Sequence, residues 1–199
     1  MVSVNANDYR LCLTKGRYLL AWAVCVALML IASISQAKSV DSTKAFAPYQ
    51  VKAAYLYYFA KFTEWPEGTA QVEADEFSIC LLGEDDIATA LNSLTTRTVH
   101  HQRVGWRRIS SSGAAAGCHI VYIGAKQKEY LQPMLQALQQ FPVLTISDSK
   151  GFAAAGGMVE LAQKGNKIHF SINLQAAKQQ NLRLNPYLLK LASIVEEGA

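Results

Sequence analysis

Residues 118–147 read CHIVYIGAKQKEYLQPMLQALQQFPVLTIS. The near-continuous apolar run at 118–123 predicts a buried strand, and a shorter run at 143–147 predicts another. Residues 126–140 between them predict a helix, because apolar side chains recur there at helical spacing: Tyr130, Met134, Leu135 and Leu138. Strands that alternate with a helix in this way indicate a parallel sheet with helices on its faces.

The chain before this unit has a similar alternation. Pro48 suits the first turn of a helix, and Trp65-Pro66 ends it because the residue before a proline is pushed out of the α region. Between these two points, apolar residues recur at helical spacing: Val51, Ala54, Tyr55, Tyr58, Phe59 and Phe62. Residues 77–82 then predict a strand, 84–94 a short helix, and 97–109 an extended segment that could form two short strands.

The C-terminal part changes character. Segments 158–162 and 167–174 flank Gly165-Asn166, which predicts a hairpin, and a final helix begins near Pro186 and carries apolar residues to Val195. We therefore expect an α/β fold, with a single three-layer domain. Its mixed, mostly parallel sheet should have about five or six strands, with helices on both faces and a C-terminal hairpin plus helix.

Residues 1–37 have the features of a secretory signal peptide. Arg10, Lys15 and Arg17 precede an uncharged, mostly apolar run at 18–34, and Ser35-Gln36-Ala37 places small residues where a signal peptidase cuts. We expect cleavage after Ala37 and a mature chain outside the reducing cytoplasm. An uncleaved membrane anchor is the alternative, because the run reaches the lower length limit for spanning a bilayer.

The rest of the chain divides into a flexible lead-in at 38–47 and one domain at 48–199. The formal charge of the whole chain is +4, and about +2 remains once the charged residues of the signal are removed. A surface this close to neutrality does not favour nucleic-acid binding. No later segment approaches the length of a transmembrane helix, so we expect no membrane insertion after cleavage.

Two cysteines, Cys80 and Cys118, remain after the signal is removed. In an oxidising compartment such a pair most simply forms a disulfide, and two free thiols are the alternative. If segments 77–82 and 118–123 are neighbouring strands, the two Cα atoms must lie within about 7 Å of each other. A loop position for Cys118 would relax that demand.

His100 and His101 lie among arginines: Arg97, Arg103, Arg107 and Arg108. They could form an anion or metal site, but adjacent histidines in a strand point to opposite faces and do not easily share one metal ion. We therefore prefer a solvated basic stripe, which could steer an acidic partner, and predict no metal site.

Catalytic motifs and cofactor motifs are absent from the sequence. There is no Gly-x-Ser-x-Gly elbow and no paired-carboxylate motif, and the glycine-bearing segment 151–157 lacks the Lys-Ser/Thr ending of a phosphate loop. We interpret that segment as a turn that leads into the hairpin. The expectation is a protein that is not an enzyme and binds no cofactor.

Three residues are candidates for contact with a partner. Trp65, like Tyr57 and Tyr58, is of a type that is over-represented at binding hot spots, although a stripe this broad is more often part of the core. Met158 and Glu160 lie at the start of the hairpin and could project from a sheet edge toward a partner or a second protomer.

Six segments together resemble a known family. They are VKAAYLYYFAKF at 51–62 running to Trp65-Pro66, CHI at 118–120, VLTISD at 143–148, GGMV at 156–159, FSINL at 170–174 and LRLNPYLLKLA at 182–192. Their order and spacing are similar to those of the YfiR family of exported bacterial proteins. The resemblance covers nearly all of the mature chain, so residues 48–199 would form a YfiR-like domain.

The resemblance implies a periplasmic, non-enzymatic regulator. The best-understood members of this family bind the periplasmic domain of a membrane-bound diguanylate cyclase, the YfiN type of the inner membrane. They hold it inactive, which lowers cyclic-di-GMP signalling and restrains biofilm formation. They form homodimers and depend on a disulfide whose cysteines match Cys80 and Cys118. The second cysteine pair of some members has no counterpart at 153–157.

Relatives with this domain also occur beside other signalling proteins. The alternative function is therefore a periplasmic small-molecule-sensing module that acts on another membrane signalling protein, such as a histidine kinase. A concave apolar pocket with a few convergent polar groups would be its structural sign.

Overall fold

The computed structural model describes residues 48–165 and 167–195. The predicted signal peptide at 1–37, its cleavage site and the lead-in at 38–47 lie outside the described residues. No helix in the described part of the chain is both long enough and apolar enough to cross a membrane.

The described residues form short helices and strands in alternation. The α-helices are α1 (Pro48–Lys61), α2 (Ile87–Leu91), α3 (Leu131–Leu138), α4 (Leu174–Gln179) and α5 (Pro186–Leu191). The strands are β1 (Thr63–Glu64), β2 (Glu76–Leu82), β3 (Thr98–Val99), β4 (Gln102–Ile109), β5 (Ile120–Ile123), β6 (Leu144–Ser147), β7 (Val159–Lys164), β8 (Lys167–Ile172), β9 (Arg183–Leu184) and β10 (Ser193–Ile194). Short 3₁₀ helices span Asn92–Leu94, Ser112–Ala115 and Ala125–Tyr130.

Eight strands form one mixed sheet in the order β10-β8-β7-β6-β5-β2-β4-β3. Neighbours from β4 through β2, β5 and β6 to β7 are parallel, while β7 with β8 and β3 with β4 are antiparallel. The chain passes from β2 to β4 on one side and then returns to form β5 on the other side of β2. The order of the strands therefore reverses between β2 and β5.

Both faces of the central sheet are buried, which explains why its strands are nearly continuous apolar runs. Phe77, Ile79 and Leu81 of β2 belong to one core, which also receives side chains of α1, α2, α4 and α5. Cys80 and Leu82 belong to a second core, which receives side chains of α3. The period-2 alternation of a strand thus assigns neighbouring residues of β2 to opposite cores.

Helix α1 is held on the sheet by aromatic packing and polar contacts. The Tyr55 ring lies 5.7 Å from the Phe170 ring, and the Phe59 ring lies 5.3 Å from it at 85°. The Tyr55 hydroxyl donates to the carbonyl of Ile168 at 3.1 Å. At the N-terminal end of α1, Lys52 forms an ion pair with Asp148, which follows β6.

The predicted mixed α/β domain is confirmed, but the number of strands is wrong, since the sheet has eight. Strands β3 and β10 have two residues each, too few to show a hydrophobic period. The predicted hairpin is confirmed, because β7 and β8 pair in register around Gly165.

The C-terminal helix is shorter than the sequence predicts. Helix α5 ends at Leu191, Ala192 is extended with φ −90° and ψ 152°, and Ser193 and Ile194 pair with β8 instead. An additional helix, α4, was not predicted; the side chain of Asn173 caps it by accepting from the amide of Ala176 at 2.9 Å. Both differences arise where edge pairing and capping outweigh a weak apolar pattern.

Cys80 and Cys118 form a disulfide. Cys80 lies inside β2, whereas Cys118 precedes β5, so the loop position that relaxes the geometric demand is the one observed. Their Cα atoms are 5.9 Å apart, and both residues are fully buried. The Arg107 guanidinium covers this region and donates to the carbonyl of Ala116 at 2.9 Å.

We predict that Cys80→Ser lowers the free energy of unfolding by about 2–5 kcal/mol, because the disulfide limits the entropy of the unfolded chain. Urea denaturation of the mature chain measures this loss. Reduced wild-type protein is the matched control and should lose a similar amount. Two thiols that alkylate freely in the native, unreduced protein would contradict the pairing.

Candidate functional site

A groove of about 680 Å³ lies between α1 and the segment that runs from α2 to Arg97. We call it the α1–α2 groove. Its apolar and aromatic lining comes from both sides: Tyr49, Val51, Ala54, Tyr57, Tyr58, Ala90 and Leu94. Residues 51, 54 and 58 share one face of α1 because they are three, four and seven positions apart. The helix therefore presents a row of side chains to the groove.

Two cations lie over an aromatic ring at the side of the groove. Lys61 Nζ is 5.7 Å and the Arg97 guanidinium carbon 5.8 Å from the centre of the Tyr57 ring. The Tyr58 ring meets the Tyr57 ring edge-on at 6.0 Å and is itself 53% exposed. No acidic side chain is among the residues that line this groove. The surface is thus aromatic and basic, which suits an acidic segment with apolar side chains.

Trp65 does not lie on the exposed surface. It is 8% exposed, and its ring packs edge-on against Phe77 at 5.3 Å and against His119 at 5.5 Å. Trp65 is therefore a core residue in the isolated chain, as the breadth of the apolar stripe favours. Its contact with a partner stays a prediction.

The hairpin residues are also placed differently from what we expect. Met158 is 1% exposed, and its amide donates to the Thr145 hydroxyl at 3.0 Å, so it does not project from a sheet edge. Strand β7 lies inside the sheet between β6 and β8, which is the reason. The half-buried Glu160 carboxylate accepts from the amides of Gly151 and Ala153 at 3.2 Å each. Partner contact by Met158 and Glu160 stays a prediction.

Glu160 thereby closes the loop before β7. The aromatic ring of Phe152, fully buried, fills that loop and leaves no room for a Cβ atom at Gly157. The segment 151–157 is a turn, as predicted.

His100 and His101 form the tight turn between β3 and β4 rather than part of a strand. Both have positive φ angles, 48° and 71°, as a two-residue hairpin connection of this type requires. His100 Nε2 lies 3.1 Å from the carbonyl of Ala60 and 3.0 Å from that of Thr63, so the ring anchors the end of α1. No three His, Cys, Asp or Glu side chains converge as metal ligands within residues 48–165 and 167–195.

A protein-family model described as YfiR/HmsC-like matches residues 49–193. The chain belongs to the YfiR/HmsC-like family. The match includes α1, the disulfide and nearly the whole sheet, so the resemblance that the six sequence segments indicate is confirmed.

A solved structure supports the fold of this YfiR/HmsC-like chain. A conserved domain protein from Vibrio cholerae matches with a TM-score of 0.52 and 10% sequence identity, over 74% of this chain. The YfiR/HmsC-like chain spans 60% of the length of that structure. At this identity the likeness shows the shared fold alone.

The α1–α2 groove of this YfiR/HmsC-like domain was not predicted as a site. Its two walls come from α1 and from residues about 40 positions later, which the sequence does not bring together. The signal that could have found it is Tyr58, an aromatic residue on a helix whose opposite face is fully apolar. Exposed aromatic residues of this kind are over-represented in interfaces.

His119 is a buried histidine that packs against Trp65 in the YfiR/HmsC-like domain. Its Nδ1 accepts from the amide of Ser78 at 3.0 Å, its Nε2 donates to the carbonyl of Gln71 at 2.7 Å, and its ring stacks on Phe77 at 4.1 Å. Burial lowers the pKa of His119 to about 4. The neutral ring therefore joins β2 to the loop that precedes it.

We predict that acidification from pH 6.5 to 4 destabilises the protein through His119. The unfolded chain takes up a proton at the ordinary histidine pKa and the folded chain does not, so the free energy of unfolding falls as pH falls, by about 3 kcal/mol at most. Urea denaturation across this range measures the slope.

His119→Gln should be less stable at pH 7 but should show a shallower slope, whereas the exposed His169→Gln should keep the wild-type slope. Burial raises the pKa of Asp85, so protonation of Asp85 increases the free energy of unfolding as pH falls and opposes the effect of His119. The comparison of wild type with His119→Gln isolates the contribution of the histidine, because both proteins contain Asp85. Equal slopes for wild type and His119→Gln would contradict the prediction.

Proposed function

We propose that this protein is a periplasmic, non-enzymatic regulator that binds the periplasmic domain of a membrane-bound diguanylate cyclase and holds that enzyme inactive. The observation that carries the proposal is membership of the YfiR/HmsC-like family across residues 49–193. The consequence for the cell is a lower level of cyclic-di-GMP and restrained biofilm formation.

The α1–α2 groove is our proposed contact surface for the cyclase. It has the chemistry of an interface core, with an exposed tyrosine beside a Lys–Tyr–Arg stack, and its lining lacks acids. Tyr58 is the proposed anchor, because a half-exposed aromatic side chain can bury a large area on binding at a small entropic cost. The partner segment should be acidic at its rim and apolar at its centre.

Repression across a membrane sets a requirement on affinity. The regulator can shift the conformational equilibrium of the cyclase only by the difference between its binding free energies for the inactive and the active conformation. A change from almost fully active to almost fully inactive needs about 5 kcal/mol of such preference. One well-packed hot spot supplies part of this difference, and the surrounding groove supplies the rest.

We predict that deletion of the gene raises cyclic-di-GMP and that the full chain restores the low level. A chain that lacks residues 1–37 should fail to restore it, because it stays on the cytoplasmic side, away from the periplasmic domain. Quantification of cyclic-di-GMP in cell extracts measures all three strains. Unchanged nucleotide levels after deletion, or full rescue by the chain without residues 1–37, would overturn the proposed function.

Surface variants in the same rescue experiment test the groove. Tyr58→Ala should lose most of the repression while the protein stays folded, since the side chain makes few core contacts. Tyr130→Ala is the matched control, because Tyr130 is 62% exposed but lies outside the groove. Equal repression by the two variants would show that the cyclase binds elsewhere.

The alternative function, a small-molecule-sensing module acting on a protein such as a histidine kinase, is favoured by a different observation. The α1–α2 groove is concave and mostly apolar, and Gln50, Thr89 and Ser93 add a few polar groups to its lining. Unchanged cyclic-di-GMP after deletion would favour this alternative.

We also propose that the protein is a homodimer that uses the C-terminal edge of the sheet. Tyr187 and Leu191 of α5 and Ile194 of β10 are 71%, 77% and 52% exposed, and β10 is the outermost strand at that end. An apolar group of side chains beside a strand edge is a suitable surface for a second copy.

The mature chain should therefore sediment at twice its monomer mass, and Leu191→Asp should shift it to the monomer. Analytical ultracentrifugation at several concentrations measures this, with Tyr130→Ala as a control that should stay dimeric. A wild-type monomer at all concentrations would contradict the dimer, and a dimeric Leu191→Asp variant would place its interface elsewhere.

A further inference from the structure

Strand β4 lies next to the last strand of the sheet, β3, and β3 is too short to cover it. The two residues of β3 pair with only the first two residues of β4. The amide of Val104 then donates to the carbonyl of Arg97 at 3.0 Å. Beyond Val104, the strand pairs only with β2 among the described residues. We call the outer side of residues 105–109 the free edge of β4.

The directions of the backbone groups on this edge follow from Val104. Successive residues of a strand point their N–H and C=O groups to opposite sides within the plane of the sheet. Because Val104 points outward to Arg97, Trp106 and Arg108 also point outward. Within residues 48–165 and 167–195, no backbone hydrogen bond to another segment satisfies the outward groups of these two residues. Such an edge is a template for one more strand.

The free edge of β4 is basic. Four exposed arginines border it: Arg97, Arg103, Arg107 and Arg108. Two acids lie among them, since Glu84 pairs with Arg108 at 2.7 Å and the Glu76 carboxylate lies over Gly105, where a Cβ atom would clash with it. The edge therefore has a net charge of about +2, which attracts an acidic segment.

The Arg107 guanidinium is already held in position on this edge. It donates to the carbonyl of Ala116 at 2.9 Å and to that of Ala114 at 3.4 Å. Carbonyl groups orient the guanidinium without neutralising its charge, and no carboxylate pairs with Arg107 among the described residues. Since a guanidinium has five N–H donors, donors remain for a carboxylate on an incoming strand.

The charges also decide which kind of strand fits. If the free edges of two copies paired, the arginines of one copy would lie against those of the other, and like charges across a strand pair are destabilising. An acidic strand would place opposite charges there instead. The half-buried Trp106 ring lies on the other face of β4 from Arg107, so an incoming strand should carry acids on one face and apolar side chains on the other.

We propose that the free edge of β4 binds an extended, acidic segment of a partner protein, which joins the eight-stranded sheet as an additional strand. Its backbone would exchange hydrogen bonds with Trp106 and Arg108. Acidic side chains at alternate positions would face Arg103 and Arg107. The surface lies at the opposite end of the sheet from β10, and it is distinct from the α1–α2 groove, although Arg97 borders both.

The probe is a fluorescent heptapeptide in which glutamate alternates with valine, beginning and ending with glutamate. It is titrated into the purified, disulfide-intact mature chain, and fluorescence anisotropy measures binding. A peptide with lysine in place of glutamate is the control. We expect the glutamate peptide to bind saturably, with an affinity that falls as salt is added, and the lysine peptide not to bind.

Methylated peptides test the backbone hydrogen bonds. Two versions of the glutamate peptide carry N-methyl groups, one on all its valines and the other on all its glutamates. An extended peptide presents alternate amides to each of its two sides, so only one of these sets can face β4. We expect methylation of that set to abolish binding and methylation of the other set to be tolerated.

Amide hydrogen exchange, measured by NMR, locates the bound peptide on the protein. Exchange at Trp106 and Arg108 should become slower, because their amides gain partners. Exchange at Arg107 and Ile109 should change less, since those amides already bond to β2. This readout uses the wild-type chain and requires no variant to fold.

Two variants at one position separate the backbone from the side chain. Arg108→Ala removes the side chain, and Arg108→Pro removes the outward N–H as well, which a strand edge tolerates. Arg108→Pro should bind about tenfold more weakly than Arg108→Ala, because one hydrogen bond is lost. Arg107→Ala should weaken binding, whereas Arg183→Ala, an exposed arginine on β9 in the separate two-stranded sheet, should not.

Absence of peptide binding at millimolar concentration would overturn the proposal, as would equal binding of the lysine peptide or of both methylated peptides. Slower exchange at another edge would place the peptide elsewhere and overturn it too. Protection of Trp106 and Arg108 that grows with protein concentration, without peptide, would assign the edge to a second copy instead. The measurements need no cyclase, so their failure leaves the proposed repression intact.

Discussion

The parallel pairing of β2 with β5 is the constraint on which the rest of the structure depends. Every residue from Ile79 to Leu82 faces a partner on β5, and the disulfide joins the middle of β2 to the residue before His119 at the entry of β5. Because both faces of these strands are buried, a shift in register would expose one core and bury polar groups of the loops. The covalent bond and the two cores therefore hold the same register.

The two ends of this central pair have different chemistry. At the amino end, His119 joins β2 to the preceding loop, stacks on Phe77 and packs edge-on against Trp65. At the carboxyl end, Asp85 and Asp148 line a polar cavity together with Lys52, which pairs with Asp148. Packing of neutral rings therefore dominates the first end, whereas charged groups dominate the second.

Helix α1 connects these regions because it carries Lys52 at the cavity and Tyr57 and Tyr58 at the groove. Its core side is held by the rings of Phe59 and Phe170. The ion pair of Lys52 with Asp148 therefore holds the same helix that presents the groove tyrosines.

The sequence by itself determined the strands that are buried on both faces, the hairpin around Gly165 and the family, since each depends on apolar runs or local turn residues. The sequence placed Cys118 in a strand, and the structure places it in the loop before β5. Only the tertiary structure decided that Trp65 and Met158 are buried, that His100 and His101 form a turn, and that residues 193–194 pair at an edge. It also created the α1–α2 groove, whose two walls lie far apart in the chain. Hydrophobic periodicity indicates which side chains are buried. It does not indicate which distant elements are in contact, because that depends on the order in which the strands pair.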